Sequence, residues 1–321
     1  MKLSVLTVPL YDRSAEAAFA WLAERGVESV ELGTGGSPGT GHCNPAELLA
    51  QPARLQALKD ALAANGLSIS ALSCHSNHVH PDKAVSDAAA SDFEATLALA
   101  EKLGVRTVVT FSGCPGDQPG AKYPNWVTCA WPTDYPKILE YQWGDVLIPF
   151  WRGAAKQAAE HGVDRIALEL HPGFCVYNTS TLLRLREAAG PAIGANFDPS
   201  HLFWQGIRPA EAVKALKGAI HHFHAKDTKI DAANTSVNGV LDTASLGGLE
   251  KRSWLFRTVG YGHGDAEWKE ILTALRLVGY DGAISIEHED AFMSIEEGLE
   301  KAIAFLRPII MREAPIDVFW A

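Results

Sequence analysis

The segment Ile284–Asp290, ISIEHED, combines a strand pattern with a concentrated group of acidic residues. Its first part alternates apolar residues with serine and glutamate, which is typical of a β-strand. Four polar residues then follow in a row, from Glu287 to Asp290. The segment therefore predicts a buried strand whose end carries carboxylates, and the rest of the chain shows whether other strands end in the same way.

Seven other short apolar runs have a similar character, and amphipathic segments separate them. The predicted strands span residues 2–10, 26–34, 67–75, 105–112, 165–171, 193–198, 219–226 and 282–288. Most helical segments between them stop at a glycine, which adopts positive φ at low cost. Eight strands alternating with helices predict parallel strands with crossover helices, and eight is the number that closes a (β/α)8 barrel. We therefore predict an α/β fold, with residues 1–321 in a single TIM-barrel domain.

An open, doubly wound sheet is the main alternative architecture. Such a sheet usually has a glycine-rich phosphate turn after its first strand. Residues 8–16, VPLYDRSAE, contain no glycine, which favours the barrel. Two predicted connections are long, at about residues 113–144 and 227–264. Both follow the carboxyl ends of strands, where barrel enzymes have their active sites, so we expect both to be functional.

The composition is that of a globular protein and disfavours several classes of function. Hydrophobic residues make up 47% and charged residues 21% of the chain, and the net charge is −10. An acidic protein repels phosphate backbones, so we do not expect nucleic acid as a partner. The five cysteines form no Cys-x-x-Cys pair, and this pattern fits a reducing cytoplasm. The first residues indicate a strand and not a signal peptide, and no apolar stretch approaches the roughly 18 residues that span a membrane.

Polar residues stand at the ends of four consecutive predicted strands, namely Glu169, Asp198, His224 and Glu287. Each alone has an ordinary explanation, such as a surface carboxylate, a turn residue before Pro199, or a hydrogen-bonded core histidine. Together they are expected at one rim of the barrel, where three buried carboxylates are costly without a cation. We predict that they bind one divalent metal ion, Mn²⁺ first, with Mg²⁺, Co²⁺ or Zn²⁺ as alternatives.

Five segments match a known family in order and spacing: ALELHPG (167–173), NFDPSHLFWQGIRP (196–209), HFHAKD (222–227), RTVGYGHGDAEW (257–268) and ISIEHED (284–290). With them the chain resembles the xylose-isomerase-like TIM-barrel superfamily, in its sugar phosphate isomerase/epimerase branch, which includes ketose 3-epimerases and inosose dehydratases. The resemblance implies that Glu169, Asp198, His224 and Glu287 hold one metal ion. It also implies that the two glutamates move the proton and that His201 contacts the substrate.

Two branches of this superfamily use residues that the chain lacks. Ketose 3-epimerases have an arginine a few residues beyond the metal histidine, where residues 228–230 of this chain read Thr-Lys-Ile. The endonuclease IV branch needs additional histidines at strands three and four and an Asp-x-His motif after strand seven. His75 and its neighbours stand at strand three, but residues 110–116 and 256–262 contain no histidine. The resemblance therefore includes neither that nuclease site nor the arginine contact of the ketose 3-epimerases.

Four further residues are candidate substrate contacts, namely His75, Trp126, Lys226 and His263. Lys226 can hold an oxyanion or a phosphate, or it can form a salt bridge with Asp227. Trp126 lies in an aromatic-rich loop that can stack on a sugar, or pack at a subunit interface. His263 lies in the glycine-rich segment GYGHGD, where backbone can approach a ligand closely.

These observations predict a metal-dependent isomerase or epimerase that acts on a sugar or polyol by proton abstraction next to a carbonyl. Glu169 and Glu287 are the predicted acid and base. The alternatives are a dehydratase that uses the same metal site and a sugar-binding barrel without catalytic activity. We expect a small sugar or sugar derivative as the ligand and a homo-oligomer, either a dimer or a tetramer, as the assembly.

Overall fold

The structure, a computed structural model, describes residues 1–318 and residue 320. Its centre is a closed barrel of eight parallel strands in the order β1-β10-β7-β6-β5-β4-β3-β2. The barrel strands are β1 (Lys2–Leu6), β2 (Ser29–Gly33), β3 (Ser68–Ser73), β4 (Thr107–Thr110), β5 (Arg165–Glu169), β6 (Ile193–Phe197), β7 (Ile220–Ala225) and β10 (Ala283–Ile286). The predicted (β/α)8 fold is confirmed, and each predicted strand overlaps one of these eight.

Helices surround the barrel and connect its strands. They are α1 (Ala15–Glu24), α2 (Pro45–Ala50), α3 (Pro52–Ala64), α4 (Lys83–Leu103), α5 (Asp134–Glu140), α6 (Ile148–Glu160), α7 (Thr179–Ala189), α8 (Pro199–Phe203), α9 (Pro209–Ala215), α10 (Ala232–Asn238), α11 (Asp265–Leu277) and α12 (Ile295–Leu306). Pro52 separates α2 from α3, as expected of a residue without an N–H donor. Gly104 ends α4 at φ 69°, a left-handed conformation that favours glycine. None of the helices in the described part of the chain could span a lipid bilayer.

Alternating residues of β7 divide the fold into an apolar layer and a polar interior. Phe223 stacks on Phe197 of β6 with ring centroids 5.7 Å apart, and both belong to the core that packs the barrel against its helices. His222 and His224 point to the other side of the strand, because side chains alternate across it. Both histidines are buried and contact Glu31 of β2 across the barrel. The barrel interior near the site is therefore polar.

Both long connections contain secondary structure of their own. The first holds α5 and a π-helix at Tyr141–Leu147. The second contains α10 and an antiparallel pair formed by β8 (Asp227–Ile230) and β9 (Trp254–Arg257). They are thus ordered extensions, and both leave the barrel at the carboxyl ends of its strands.

Candidate metal centre

Four residues on consecutive strand ends converge at the carboxyl end of the barrel. Glu169 is the last residue of β5, Asp198 follows β6, His224 belongs to β7, and Glu287 follows β10. One ligand atom from each lies within 4.8 Å of the others. Three of these side chains are almost fully buried, and that of Glu287 is 17% exposed. The structure therefore places the four candidate ligands predicted from the sequence in one cluster.

Local structure sets the direction of Asp198. Its Oδ1 accepts a hydrogen bond from the backbone N–H of Ser200 at 2.8 Å, which makes it the N-cap of α8. Its buried Oδ2 accepts no hydrogen bond, although the ammonium of Lys226 lies 3.1 Å away. This free oxygen lies beside two other carboxylates and an imidazole. Three carboxylates and one imidazole together form a donor set that suits a hard to borderline cation. These residues fit a divalent metal ion.

The two ring nitrogens of His224 have different neighbours. Nδ1 lies 3.0 Å from Oε2 of Glu287 and 3.5 Å from Oε2 of Glu169. Nε2 lies 3.0 Å from both carboxylate oxygens of Glu31. Burial opposes the charged form of the ring, but Glu31 and Glu287 outweigh it and raise the pKa of His224 well above its usual value. Nδ1 is therefore the nitrogen that faces the candidate ligands.

Lys226 is a buried cation within this acidic cluster. Its Nζ lies 2.6 Å from Glu287, 3.1 Å from Asp198 and 3.3 Å from Glu289. Burial favours the neutral amine, but these carboxylates raise the pKa of Lys226 well above its usual value. The alternative salt bridge with Asp227 does not form among the described residues. Asp227 instead accepts backbone hydrogen bonds from the 260–263 segment.

The carboxyl groups respond differently to this environment. Burial raises the pKa of Asp198 to about 6, with Glu169 and Glu287 adding to the shift and Lys226 opposing it. Burial also opposes ionisation of Glu287, but Lys226 and His224 outweigh it and lower the pKa of Glu287 to about 2. Without a metal ion, Asp198 is therefore easier to protonate than Glu287.

Two predicted substrate contacts lie beside Glu169. Nε2 of His75 is 3.0 Å from its Oε2, and Nε2 of His201 is 3.0 Å from its Oε1. Burial alone raises the pKa of Glu169, but the hydrogen bonds from His201 and His75 outweigh it and hold the pKa well below its usual value. His75 also lines the cavity next to the cluster. Both histidines therefore keep Glu169 ionised.

A cavity of about 170 Å³ opens beside the cluster. Its polar wall is formed by Lys226, three carboxylates and three histidines, namely Glu169, Glu287, Glu289, His75, His171 and His288. Apolar residues, among them Leu6, Val8 and Phe111, form the rest of the wall. The cavity thus has one ionised side and one apolar side, as a site for a small polar molecule with C–H faces requires.

His201 does not line this cavity, and two other predicted contacts, His263 and Trp126, also lie outside its lining. The ring of His263 stacks on Phe203 at 3.6 Å between centroids, and its Nδ1 lies 2.8 Å from Asp227. Trp126 is half-buried and packs edge-on against Tyr177 at 5.4 Å. In this conformation the structure assigns both rings local packing partners, and contact with a substrate stays a prediction for both.

Three residues of the site were missed by the reasoning from sequence. Glu31 lies in strand β2, of which every residue is buried, so a charge within a predicted strand was the available signal. His171 lines the cavity, and burial lowers the pKa of its ring to about 4. Glu289 was visible in the acidic segment after β10, but only the structure shows that it contacts Lys226.

Comparison with known proteins shows the family to which the chain belongs. The model of the xylose isomerase-like TIM barrel family matches residues 19–309, and the chain belongs to this family. An uncharacterised protein of Bacillus subtilis (strain 168), YfiH, is 38% identical over 97% of this chain and 99% of its own length. Inosose dehydratase of Geobacillus thermodenitrificans (strain NG80-2) is 27% identical over 48% of this chain and 49% of its own length.

Solved structures share the fold at low sequence identity. The probable 3-DHS dehydratase AsbF of Bacillus anthracis has a TM-score of 0.66 at 19% identity and covers 96% of this chain and 99% of its own. D-psicose 3-epimerase of Clostridium cellulolyticum H10, with D-tagatose, has a TM-score of 0.61 at 15% identity, with 97% and 99% covered. The IolI protein with a bound zinc atom has a TM-score of 0.66 at 18% identity, with 97% and 98% covered.

Proposed function

We propose that this protein is a metal-dependent isomerase or epimerase that moves a proton beside the carbonyl group of a sugar or polyol. The observation that carries the proposal is the convergence of Glu169, Asp198, His224 and Glu287 within 4.8 Å. Two of these residues, the glutamates, also line the adjacent cavity. Family membership supports the proposal, and the D-psicose 3-epimerase that shares the fold is an enzyme of this reaction class.

The four ligands would hold one divalent ion, for which we propose Mn²⁺. Three carboxylates and one imidazole suit Mn²⁺ or Mg²⁺ better than ions that prefer sulfur or several imidazoles. The zinc atom in the IolI structure keeps Zn²⁺ as an alternative. When bound, the ion would supply a Lewis acid that polarises the substrate carbonyl.

The remaining chemistry belongs to side chains of this chain. Glu169 and Glu287 are both held ionised, so either can accept a proton from carbon. They stand on β5 and after β10, with β6 and β7 between them in the barrel, and we propose that they act on different sides of the substrate. Lys226 can donate a hydrogen bond to the oxygen that becomes negative. His171 can accept one from a hydroxyl, since its Nδ1 contacts the carbonyl oxygen of Pro172 at 2.6 Å and Nε2 remains.

A dehydratase of a keto-polyol is the second candidate. Inosose dehydratase is similar to half of this chain, and the AsbF structure, named as a probable dehydratase, shares the fold. Dehydration needs the same proton abstraction and in addition a general acid beside the departing hydroxyl. Lys226 is a cation that lines the cavity and can fill that role. The residues at 228–230, Thr-Lys-Ile in place of an arginine, also distinguish this chain from ketose 3-epimerases.

Product analysis tests the proposal and separates its alternatives. The Mn²⁺-loaded protein would be incubated with neutral ketoses, their phosphates and inososes, and products would be analysed by mass spectrometry and NMR. An isomer of unchanged mass supports the isomerase or epimerase, and a product lighter by one water supports the dehydratase. Saturable binding with no product from any compound supports the binding barrel and contradicts the proposal. The Asp198→Asn protein serves as the metal-deficient control.

We propose that the protein acts in the cytoplasm. All five cysteines are free in the structure, which agrees with a reducing compartment.

We also propose a homo-oligomer. Trp131 of the first long connection is 76% exposed and is a candidate contact between subunits. Size-exclusion chromatography with light scattering on the natural protein and on Trp131→Ala measures this directly.

A further inference from the structure

We propose that Glu31 is a positioning residue that fixes the His224 ring and thereby increases the affinity of the metal centre. Glu31 would hold the proton of His224 on Nε2, so that the lone pair of Nδ1 faces the other three ligands. The inference rests on the proposed metal site and adds to it a residue that touches neither the ion nor the substrate.

The contact between Glu31 and His224 has the geometry of such a support. Both oxygens of the carboxylate lie 3.0 Å from Nε2, and both side chains are fully buried. On the other side of the ring, Nδ1 faces Glu287 at 3.0 Å and Glu169 at 3.5 Å. A histidine binds metal through one nitrogen, and the hydrogen bond made by the other nitrogen selects which one. Here Glu31 contacts Nε2, the nitrogen that points away from the candidate ligands.

Glu31 is itself held in place by two hydroxyl groups from neighbouring strands. Ser285 of β10 donates to its Oε2 at 2.7 Å, and Ser73 of β3 donates to its Oε1. An ionised carboxylate only accepts hydrogen bonds, and every contact of Glu31 in this set is a donor. The carboxylate therefore joins β2, β3, β7 and β10 directly below the site, and it is rigid enough to orient a ligand.

The same residues do not form a second metal site. Glu31, His222 and His224 have ligand atoms within 4.8 Å of one another, so the possibility arises. However, Nδ1 of His222 lies 3.0 Å from Oδ1 of Asn196, and its Nε2 lies 3.3 Å from Oγ of Ser70. With the oxygens of Glu31 already accepting three donors, this group is a satisfied hydrogen-bond network. Its function is to support the ligand and not to hold an ion.

The test compares two substitutions in this network. Glu31→Gln keeps the size of the side chain but removes its charge and its acceptor-only character. Ser285→Ala removes another buried hydrogen bond to Glu31 and leaves the contact with His224. Mn²⁺ and Zn²⁺ affinities would be measured by calorimetry on metal-free proteins whose folding is confirmed by circular dichroism. Because partners of metal ligands typically contribute 10–100-fold in affinity, we expect Glu31→Gln to bind about 10–100-fold more weakly. Ser285→Ala removes one of the two hydroxyl supports of Glu31 but keeps its charge, so its affinity should fall by less than that of Glu31→Gln.

A second readout uses the natural protein and does not depend on the variant folding. With ¹⁵N-labelled histidine and Zn²⁺, the spectrum should show His224 protonated on Nε2 and coordinated through Nδ1. Coordination through Nε2, or an unchanged affinity in folded Glu31→Gln, overturns the inference while leaving the metal site intact. If the natural protein and Asp198→Asn bind metal equally, the proposed function itself fails. The two failures are therefore distinguishable.

Discussion

The ammonium of Lys226 lies 2.6 Å from Oε2 of Glu287, in a buried ion pair at the point where β7 and β10 end. The same ammonium reaches Asp198 and Glu289. It therefore compensates part of the negative charge that the candidate metal ligands concentrate in the barrel. In the proposed enzyme, a metal ion and Lys226 share this task, and removing either one increases the dependence of the fold on the other.

Replacing Lys226 by methionine should destabilise the metal-free protein. Removing one partner of a buried ion pair lowers the free energy of unfolding by about 3–5 kcal/mol, because the remaining charge is left uncompensated. Urea unfolding with EDTA measures this loss, and addition of Mn²⁺ should restore more stability to the variant than to the natural protein. Lys229→Met, which changes an exposed residue on the same segment, is the control. Equal metal-free stability of Lys226→Met and the natural protein would contradict the role of Lys226.

Replacing Asp198 by asparagine should remove the metal and keep the fold. The amide oxygen can still accept the hydrogen bond from the N–H of Ser200 that caps α8, but the ligand charge is lost. Since even indirect partners of a ligand contribute about 10–100-fold, we expect the affinity for Mn²⁺ to fall by more than about 100-fold. Asp231→Asn is a matched control, because Asp231 caps α10 in the same way at an exposed position. Stoichiometric metal in purified Asp198→Asn protein would refute the ligand assignment.

Replacing Glu287 by glutamine should affect turnover far more than substrate binding. The change keeps the shape and one oxygen ligand but removes the proposed base, which typically contributes about 10²–10⁴ in kcat. Steady-state kinetics at saturating Mn²⁺ measure the loss. The control Glu297→Gln changes a half-exposed carboxylate on α12 that pairs with Lys301 outside the site, and it should retain most of the activity. A near-normal kcat for Glu287→Gln would leave Glu287 as a ligand only.

Buried His78 should make the metal-free protein sensitive to mild acid. Its ring packs among Phe93, Phe150 and Trp151, and burial lowers its pKa to about 4. An unfolded histidine titrates near 6.5, so between these values the unfolded state takes up a proton that the folded state does not. The stability is therefore complete above about pH 6.5 and is lost as the pH falls towards 4, by up to about 1.4 kcal/mol per pH unit.

The matched variant for this effect is His78→Leu, which places a side chain that cannot titrate among the same rings and gives up the contact of His78 with the hydroxyl of Thr110. Urea unfolding with EDTA at about pH 7, 6 and 5 gives the slope of stability against pH. The variant should take up about one proton fewer on unfolding than the natural protein. Its free energy of unfolding should therefore change less with pH, whatever its absolute value. An identical slope in both proteins would mean that His78 does not titrate on unfolding.

The barrel and the convergence of the four candidate ligands were predictable from the sequence because both follow from periodic patterns. Glu169, Asp198, His224 and Glu287 each follow or end an apolar run, and the closed parallel barrel brings such ends together. For the two ordered extensions, the sequence predicts long connections but not the helices and strands within them. The antiparallel pair β8–β9 was not predicted, because the short segment 227–230 continues directly from β7 and its partner lies about 25 residues away.

The support beneath the cluster could not be predicted, since it depends on contacts between distant strands. Glu31 is 193 residues from His224 and 254 from Ser285 along the chain. Nothing in the local sequence of β2 identifies either partner. The same limit applies to His263, because its stacking on Phe203 and its contact with Asp227 depend on the path of the second long connection.

Solvent exchange tests the central claim, proton transfer by Glu169 and Glu287, most directly. The Mn²⁺-loaded protein would turn over its substrate in D₂O, and NMR would locate deuterium in the product. Proton abstraction exposes the transferred hydrogen to solvent, whereas a hydride shift moves it directly between carbons. We predict deuterium on the reacting carbon with the natural protein, and a much slower appearance of label with Glu287→Gln. Product formed at the normal rate without deuterium would contradict the account.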